Sequence, residues 1–289
     1  MPRLTTRGQS RSREVIRRLV RKPSAIAGIV LLLVVGLAAI FAPSVAPYEP
    51  DAQGVGDPFA PPSARFLFGT DQFGRDIFSR VVYGGRISLQ IGVVAVVIGG
   101  SVGLLLGSLA GYVGGWADET VMRFIDIMLA FPGILLAIAV VIMLGPSLHN
   151  MMIAVGVGTV PTFARVVRAS VLEARERDYV AAAHALGVSD VTILARHILP
   201  NIMAPFIVLA TLDVATAILS GTALSYLGMG AKPPTSEWGL MLSDGRSFIR
   251  HAWWVGTFPG LAITVTVIGI NLLGDGLRDA LDPRLRGTR

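Results

Sequence analysis

Residues 24–41 read SAIAGIVLLLVVGLAAIF, and no charged residue lies between Pro23 and Tyr48. A helix needs about 20 mostly apolar residues to cross the hydrocarbon core of a bilayer. The composition of all 289 residues follows the same pattern, with 53% apolar and only 15% charged residues, whereas soluble domains have about 25% charged residues. Charge is confined to blocks between long uncharged runs, which predicts an all-α membrane protein rather than a soluble catalytic domain.

Further uncharged runs predict five more spanning helices. The run from Ile127 to Ala164 is too long for one crossing, and the turn-forming residues 145–150 (GPSLHN) divide it. The fifth span contains one charged residue, Asp213. The six predicted spans cover residues 24–41, 88–113, 124–144, 151–167, 202–227 and 253–273.

The distribution of basic residues predicts the orientation of these spans. Of the 25 Lys and Arg residues, eighteen fall in the termini and in the connections that share their side, and seven fall in the opposite connections. The positive-inside rule therefore places both termini in the cytoplasm. The predicted division is a basic arm (1–22), a first span (23–43), an extracytoplasmic loop (44–87), a transmembrane core (88–280) and a cytoplasmic tail (281–289). The N-terminus imitates a signal peptide, but its apolar run is too long and five spans follow.

The segment 170–200 carries the most informative pattern on the predicted cytoplasmic side. Helix-forming residues run to Leu186, and Gly187 can take the left-handed conformation that ends a helix. Ser189 or Asp190 can cap a second short helix, which we expect Pro200 to end. The pattern predicts two short helices joined by a glycine bend. Such a unit can dock on a partner or pack on the chain's own membrane helices, and the residues leave both alternatives open.

The predicted outer loop contains the run FGTDQFGRDIFSR at residues 68–80. Gly74 permits a tight turn, and a helix is expected to follow with Asp76 in its first turn. The charged residues can pair locally as surface ion pairs of a solvated loop, each worth little. The residues do not distinguish a binding role from a structural one. The candidate residues of this motif are Asp71, Gly74, Arg75, Asp76 and Arg80.

These two segments resemble the permease subunits of ATP-binding-cassette importers. Their cytoplasmic signature reads E-A-A, three residues, G, nine residues and I-x-L-P. Here Ala182-Ala183, Gly187 and Leu199-Pro200 match it, whereas Ala181 replaces the Glu and His197 the first Ile. The runs at 68–76, 223–230, 233–239, 258–260 and 271–284 are similar to the dipeptide/oligopeptide/nickel branch, in particular to its second, C-type permease.

The resemblance implies a type I importer permease fold and a division of labour. A homologous second permease would complete the path, two ATPase subunits would bind ATP and Mg, and an extracytoplasmic solute-binding protein would deliver cargo. We call residues 170–200 the coupling segment, because the resemblance implies that they dock on an ATPase. The residues expected to carry this contact are Tyr179, Ala181, Ala182, Ala183, Leu186, Gly187, Ser189, Asp190, Ile193, Arg196, Leu199 and Pro200.

The sequence also bears on enzyme activity. A P-loop needs Gly-Lys followed by Ser or Thr, and here both lysines, Lys22 and Lys232, precede proline. The four histidines form no H-E-x-x-H pair, and there is no cysteine nucleophile. We therefore expect a transport subunit that is not an enzyme and binds no cofactor or metal itself. Short peptides are the expected cargo, with nickel chelates, haem or another small solute as alternatives. A proton-coupled secondary transporter is the alternative from another class.

Asp213 is costly inside a span unless it faces protein or water. It is expected to lie in the translocation path or at the interface with the second permease, and the alternative is a pairing that only holds the helix bundle together. Asn271 and Asp275, near the inner end of the sixth span, invite the same interpretation.

Overall fold

The structure, a computed structural model, describes residue 17 and residues 19–281. Most of the predicted basic arm and of the predicted tail lies outside these residues. The described part is helical and contains no β-strand beyond an isolated bridge between Thr70 and Asp76. Its main helices are α1 (Pro23–Ile40), α2 (Ile77–Val113), α3 (Gly115–Leu129), α4 (Gly133–Leu144), α5 (Leu148–Arg175), α6 (Asp178–Ala185), α7 (Leu199–Tyr226), α8 (Trp238–Gly245) and α9 (Trp254–Leu281).

Four shorter elements complete the helical part. A short helix, Ala42–Val45, follows α1, and a 3₁₀ turn, Arg246–Phe248, follows α8. Ahead of α7 lie the helical turn Asp190–Thr192 and a π-helical turn, Ile193–Ile198. These two turns and α7 form one continuous helical stretch from Asp190 to Tyr226.

Five helical stretches are long and apolar enough to cross a membrane, and a sixth crossing results if α3 and α4 are one broken span. The five are α1, α2, α5, α9 and the stretch that ends with α7. The predicted third span, 124–144, is wrong as a single helix, because α3 and α4 meet at an angle of 92°. Pro132 explains this break, since it has no N–H and it disfavours the helical conformation of Phe131.

Glycines let the long helices approach closely. Gly99, Gly103, Gly107 and Gly111 follow one face of α2 that packs on α5. A Cβ at Gly107 would lie only 2.5 Å from the carbonyl oxygen of Ala164 in α5. Small residues of this kind bring helix backbones together in membranes, where van der Waals packing drives association. The pair α2 and α5 therefore forms the closely packed centre of the bundle.

The bundle has two ends, which we name by their residues. The loop side comprises residues 46–76 and 228–253, and the basic side comprises residues 114–118 and 176–198. The helix α2 joins the two, and its 37 residues span about 55 Å, well beyond the roughly 30 Å of a bilayer core. The helix that holds the predicted second span thus begins at Ile77, within the predicted outer loop.

Candidate coupling site

The glycine bend of the coupling segment is built as the sequence predicts. Gly187 has a φ of +75°, a value that glycine adopts without steric cost. Its N–H donates to the carbonyl of His184 at 2.9 Å, and the N–H of Val188 donates to the carbonyl of Ala183 at 3.1 Å. These two bonds form a Schellman motif, which satisfies the last carbonyls of α6. Local backbone geometry therefore fixes the bend.

The helix before the bend is shorter than the sequence suggests. The chain does not run as one helix from Ser170 to Leu186, because α5 ends at Arg175 and α6 begins at Asp178. Arg177 occupies the N-cap position in an extended conformation. A two-residue break, at Glu176 and Arg177, thus separates α6 from α5 within the coupling segment.

The helix after the bend differs from the expectation at its far end. Ser189 is the N-cap residue, but its hydroxyl lies 2.9 Å from the hydroxyl of Thr192 and makes no capping bond to the backbone. The prediction that Pro200 ends this helix is wrong, because the chain passes through the π-helical turn into α7. Pro200 lies in the first turn of α7, where a missing N–H costs little.

The coupling segment is held on the bundle by an apolar cluster. Val180, Ala183, Ile193 and Ile198 are buried there, against Val167, Val171 and Ile202 of the membrane helices. Two of the predicted contact residues, Ala183 and Ile193, therefore support the segment from inside, and Leu199 is half-buried. The other predicted contact residues are exposed: Tyr179, Ala181, Ala182, Leu186, Gly187, Ser189, Asp190, Arg196 and Pro200.

The exposed residues include large apolar side chains around the bend. Leu186 is 83% exposed and Val191 is 78% exposed. A groove of about 730 Å³ also lies between the end of α5 and the start of α7, lined by Glu173, Arg177, Tyr179, Asn201 and Pro205 among others. Exposed apolar side chains on a helical bend are suited to docking of another protein.

Charged contacts that the sequence analysis missed fix the basic side. Arg168 of α5 makes a two-pronged ion pair with Asp118 of α3 at 2.5 Å. Arg165 of α5 pairs with Asp126 of α3 at 2.7 Å. Asp118 and Asp126 are eight residues apart, so they lie on one side of α3, and Arg165 and Arg168 are three residues apart, so they lie on one side of α5. This spacing was the signal in the sequence from which the ion pairs could have been predicted. The two pairs join α3 to the closely packed α2–α5 unit.

The predicted path residues lie in two contacting helices, and among the described residues no hydrogen bond or ion pair joins them to one another. Leu212, the neighbour of Asp213 in α7, packs on Gly274 of α9, next to Asp275. Asp213 is half-buried, and its Oδ2 atom is buried with no hydrogen-bond partner among the described residues. Asn271 and Asp275 are exposed.

The motif on the loop side is buried, so the interpretation as surface ion pairs of a solvated loop is wrong. Asp71, Arg75, Asp76 and Arg80 are each no more than 3% exposed. Asp71 accepts from the Arg75 side chain at 2.6 Å and from the backbone N–H groups of Phe73 and Arg75. Gly74 makes this turn possible with a φ of +67°.

Arg80 and Asp76 extend this buried network across the loop side. Arg80 donates to the carbonyls of Pro50 at 3.0 Å and of Pro234 at 3.3 Å, so it joins two separate loops. Asp76 is the N-cap of α2 rather than a residue of its first turn, and accepts from the N–H of Ser79 at 2.8 Å. These bonds assign the motif a structural role: it closes the loop side.

Glu237 belongs to the same side and was missed in the sequence. It is fully buried and caps α8, accepting from the N–H groups of Gly239 at 2.8 Å and Leu240 at 2.9 Å. Burial raises its pKa, and these two hydrogen bonds partly oppose that shift. The available signal was an acidic residue directly before Trp238-Gly239-Leu240, since a negative charge is favourable at a helix N-terminus.

A bundle of five or six membrane-crossing helices with a helix–bend–helix docked on one side defines a multi-pass membrane protein. Solved structures with the same arrangement exist. An inward-facing crystal form of the MetNI methionine ABC transporter superposes with a TM-score of 0.58 over 70% of this chain and 96% of its own, at 20% identity. That likeness identifies the fold as the type I importer permease fold.

Sequence comparisons identify the family. The profile of the binding-protein-dependent transport system inner membrane component matches residues 103–287, and that of the N-terminal TM domain of oligopeptide transport permease C matches residues 10–62. This chain therefore belongs to the inner-membrane permease subunits of binding-protein-dependent transport systems, at the C-type branch. It is a multi-pass permease subunit of an ABC importer and not itself the ATPase.

Three relatives cover nearly the whole chain. It is 49% identical to the dipeptide transport system permease protein DppC of Alkalihalophilus pseudofirmus, over 95% of this chain and 90% of the relative. It is 46% identical to the di/tripeptide transport system permease protein DppC of Pseudomonas aeruginosa, over 96% and 93%. It is 48% identical to the glutathione transport system permease protein GsiD of Shigella flexneri, over 95% and 91%.

Proposed function

We propose that this chain and a homologous second permease enclose the path of an ATP-driven importer for short peptides. The observation that carries the proposal is the exposed, rigidly bent coupling segment on a permease bundle. Its inner face is buried against the bundle while Leu186 and Val191 stay exposed, and such a surface is suited to receive force from another subunit. Two ATPase subunits would bind there and would hold the ATP and Mg, and a solute-binding protein would deliver cargo to the loop side.

The cargo proposal rests on the relatives. The three relatives are named for dipeptide, di/tripeptide and glutathione transport, and all of these are short peptides. This agreement favours peptides over nickel chelates or haem.

The proposed orientation places the basic side in the cytoplasm. The positive-inside rule supports it, because eighteen Lys and Arg residues fall in the termini and in the connections that share their side, and seven fall in the opposite connections. An ATPase must also meet the coupling segment where ATP is found. Both termini would then be cytoplasmic.

The proposed path includes Asp213. A carboxylate without a partner at membrane depth is costly, and its Oδ2 is buried with no partner among the described residues. We propose that the second permease or the cargo completes this site, with Asn271 and Asp275 close to the same interface. Replacing Asp213 by Asn should reduce peptide uptake, and unchanged uptake together with unchanged complex stability would refute the assignment.

Reconstitution in liposomes tests the function directly. The chain alone should transport no peptide under a proton gradient, whereas the complete complex should take up labelled di- and tripeptides only with ATP. Uptake by the chain alone, driven by the gradient, would instead show a secondary transporter. Nickel chelate or haem offered to the same vesicles tests the cargo alternatives.

A further inference from the structure

Tyr112, in the last turn of α2, contacts the two residues that flank the bent unit 176–189, namely Arg175 before it and Asp190 after it. Its hydroxyl donates to Oδ1 of Asp190 at 2.8 Å, where the helix after the glycine bend begins. Its backbone carbonyl accepts from Nη1 of Arg175 at 3.0 Å, where α5 ends. One residue of α2 thus holds the point where the chain enters this unit and the point where it leaves.

The rest of the side chain strengthens this connection. The Tyr112 ring is half-buried and packs against the apolar cluster that includes Val180 and Ile193. A tyrosine suits this position because its ring is apolar and its tip is polar. The Arg175 guanidinium lies at the carboxyl end of α2, where the helix dipole favours a cation.

The connection matters because of how the long helices are joined. A displacement of the Gly187 bend reaches α7 through continuous helix, since Asp190 to Tyr226 is unbroken. It has no such covalent route to α2, which ends at Val113. The hydrogen bond from Tyr112 to Asp190 supplies a directional link to α2, and α2 runs the full length of the bundle in close contact with α5.

We propose that Tyr112 is a positioning residue for energy coupling: it makes α2 move together with α7 when an ATPase displaces the coupling segment. The proposal rests on the proposed function above. It assigns to Tyr112 no contact with cargo, with ATP or with the ATPase.

The test uses the complete complex in liposomes and measures peptide uptake and ATP hydrolysis in the same vesicles. Tyr112→Phe removes only the hydroxyl. Its complex should assemble and hydrolyse ATP as before, while the peptide taken up per ATP falls about fivefold, the effect of losing one hydrogen bond of ordinary net strength. A residue important only for folding would instead change the yield of complex and leave this ratio constant.

Variants of Asp190 distinguish the bond from other causes. Asp190→Ala removes the acceptor oxygens of this bond and should lower the ratio as Tyr112→Phe does. The double variant Tyr112→Phe/Asp190→Ala should be no worse than either single variant. An unchanged ratio in Tyr112→Phe, or loss of the ATPases from its complex, would overturn the proposal. Absence of ATP-dependent uptake by the wild-type complex would instead overturn the proposed function.

Discussion

On the loop side, Asp71, Arg75 and Arg80 are each 3% exposed or less, whereas on the basic side Leu186 is 83% exposed. On the loop side, the charged groups of the buried motif form hydrogen bonds within this chain. Some of these bonds join residues that are distant in sequence, such as Arg80 and Pro234. The basic side buries its apolar residues beneath the bend and leaves others uncovered. The charged groups of the loop motif are therefore satisfied within this chain, whereas the bend on the basic side presents apolar side chains that a further subunit can cover.

The largest expected effect is the loss of Arg80. Replacing it by Ala leaves Asp71 without one of its two cationic neighbours and frees the carbonyls of Pro50 and Pro234 in a buried site. Breaking a buried charge pair costs about 3–5 kcal/mol, so thermal unfolding of the purified protein should occur at much lower temperature. Arg65→Ala is the control, because Arg65 is exposed and, among the described residues, contacts the Val55 carbonyl and the Phe66 ring without joining separate loops through a buried ion pair. Equal stability of the two variants would contradict the structural role of the loop motif.

A smaller effect is expected in the helix pair that joins the two sides. Gly107→Ala places a Cβ 2.5 Å from the Ala164 carbonyl oxygen, and overpacking of this kind costs about 1–3 kcal/mol. Gly36→Ala is the matched control, since nothing lies within 4 Å of its Cβ position. Thermal unfolding in detergent should separate the two variants. If they unfold at the same temperature, the glycine face of α2 does not set the helix spacing.

The exposed bend should respond in assembly rather than in stability. Leu186→Asp introduces a charge where we expect the ATPase to pack, and should weaken co-purification of the ATPases about tenfold, equivalent to about 1.4 kcal/mol. Ile249→Asp makes the same change at a residue that is 63% exposed on the loop side, and should leave co-purification unchanged. Loss of the ATPases from Ile249→Asp alone would reverse the assignment of the two sides.

The smallest effect is a pH dependence on the loop side. Because burial raises the pKa of Glu237 above the ordinary value of 4.5, the folded state keeps this proton to a higher pH than the unfolded chain. Stability from this group is therefore greatest at low pH and falls as pH rises above about 4.5. Glu237→Gln does not titrate and should remove this part of the decline, while its single carbonyl oxygen can accept from one of the two N–H groups of α8. Melting temperatures of both proteins between pH 5 and pH 8 provide the measurement, and identical slopes would show that Glu237 does not contribute.

The sequence predicted the features that depend on local chemistry. The uncharged runs located the membrane helices, and Gly187 located the bend, because both follow from single residues or from their periodicity. It failed where distant residues decide the outcome. The burial of Asp71 and Arg80 depends on loops that meet only in the folded chain. The residues of the motif itself do not indicate that Arg80 will bond to the carbonyls of Pro50 and Pro234. The prediction that Pro200 ends a helix was wrong for a related reason. The preceding residues form a π-helical turn, and Pro200 lies directly after it, in the first turn of α7, where a helix tolerates proline.

The π-helical turn at Ile193–Ile198 sets the orientation of the bend about the axis of α7. Each residue of an α-helix advances the chain by about 100° around the axis, and a π-helical turn holds an additional residue. The orientation of Leu186 and Gly187 about the axis of α7 therefore differs from the one that a regular α-helix ahead of α7 would produce. Removing one residue from this turn would change the rotational register of the residues before it by about 100° relative to α7.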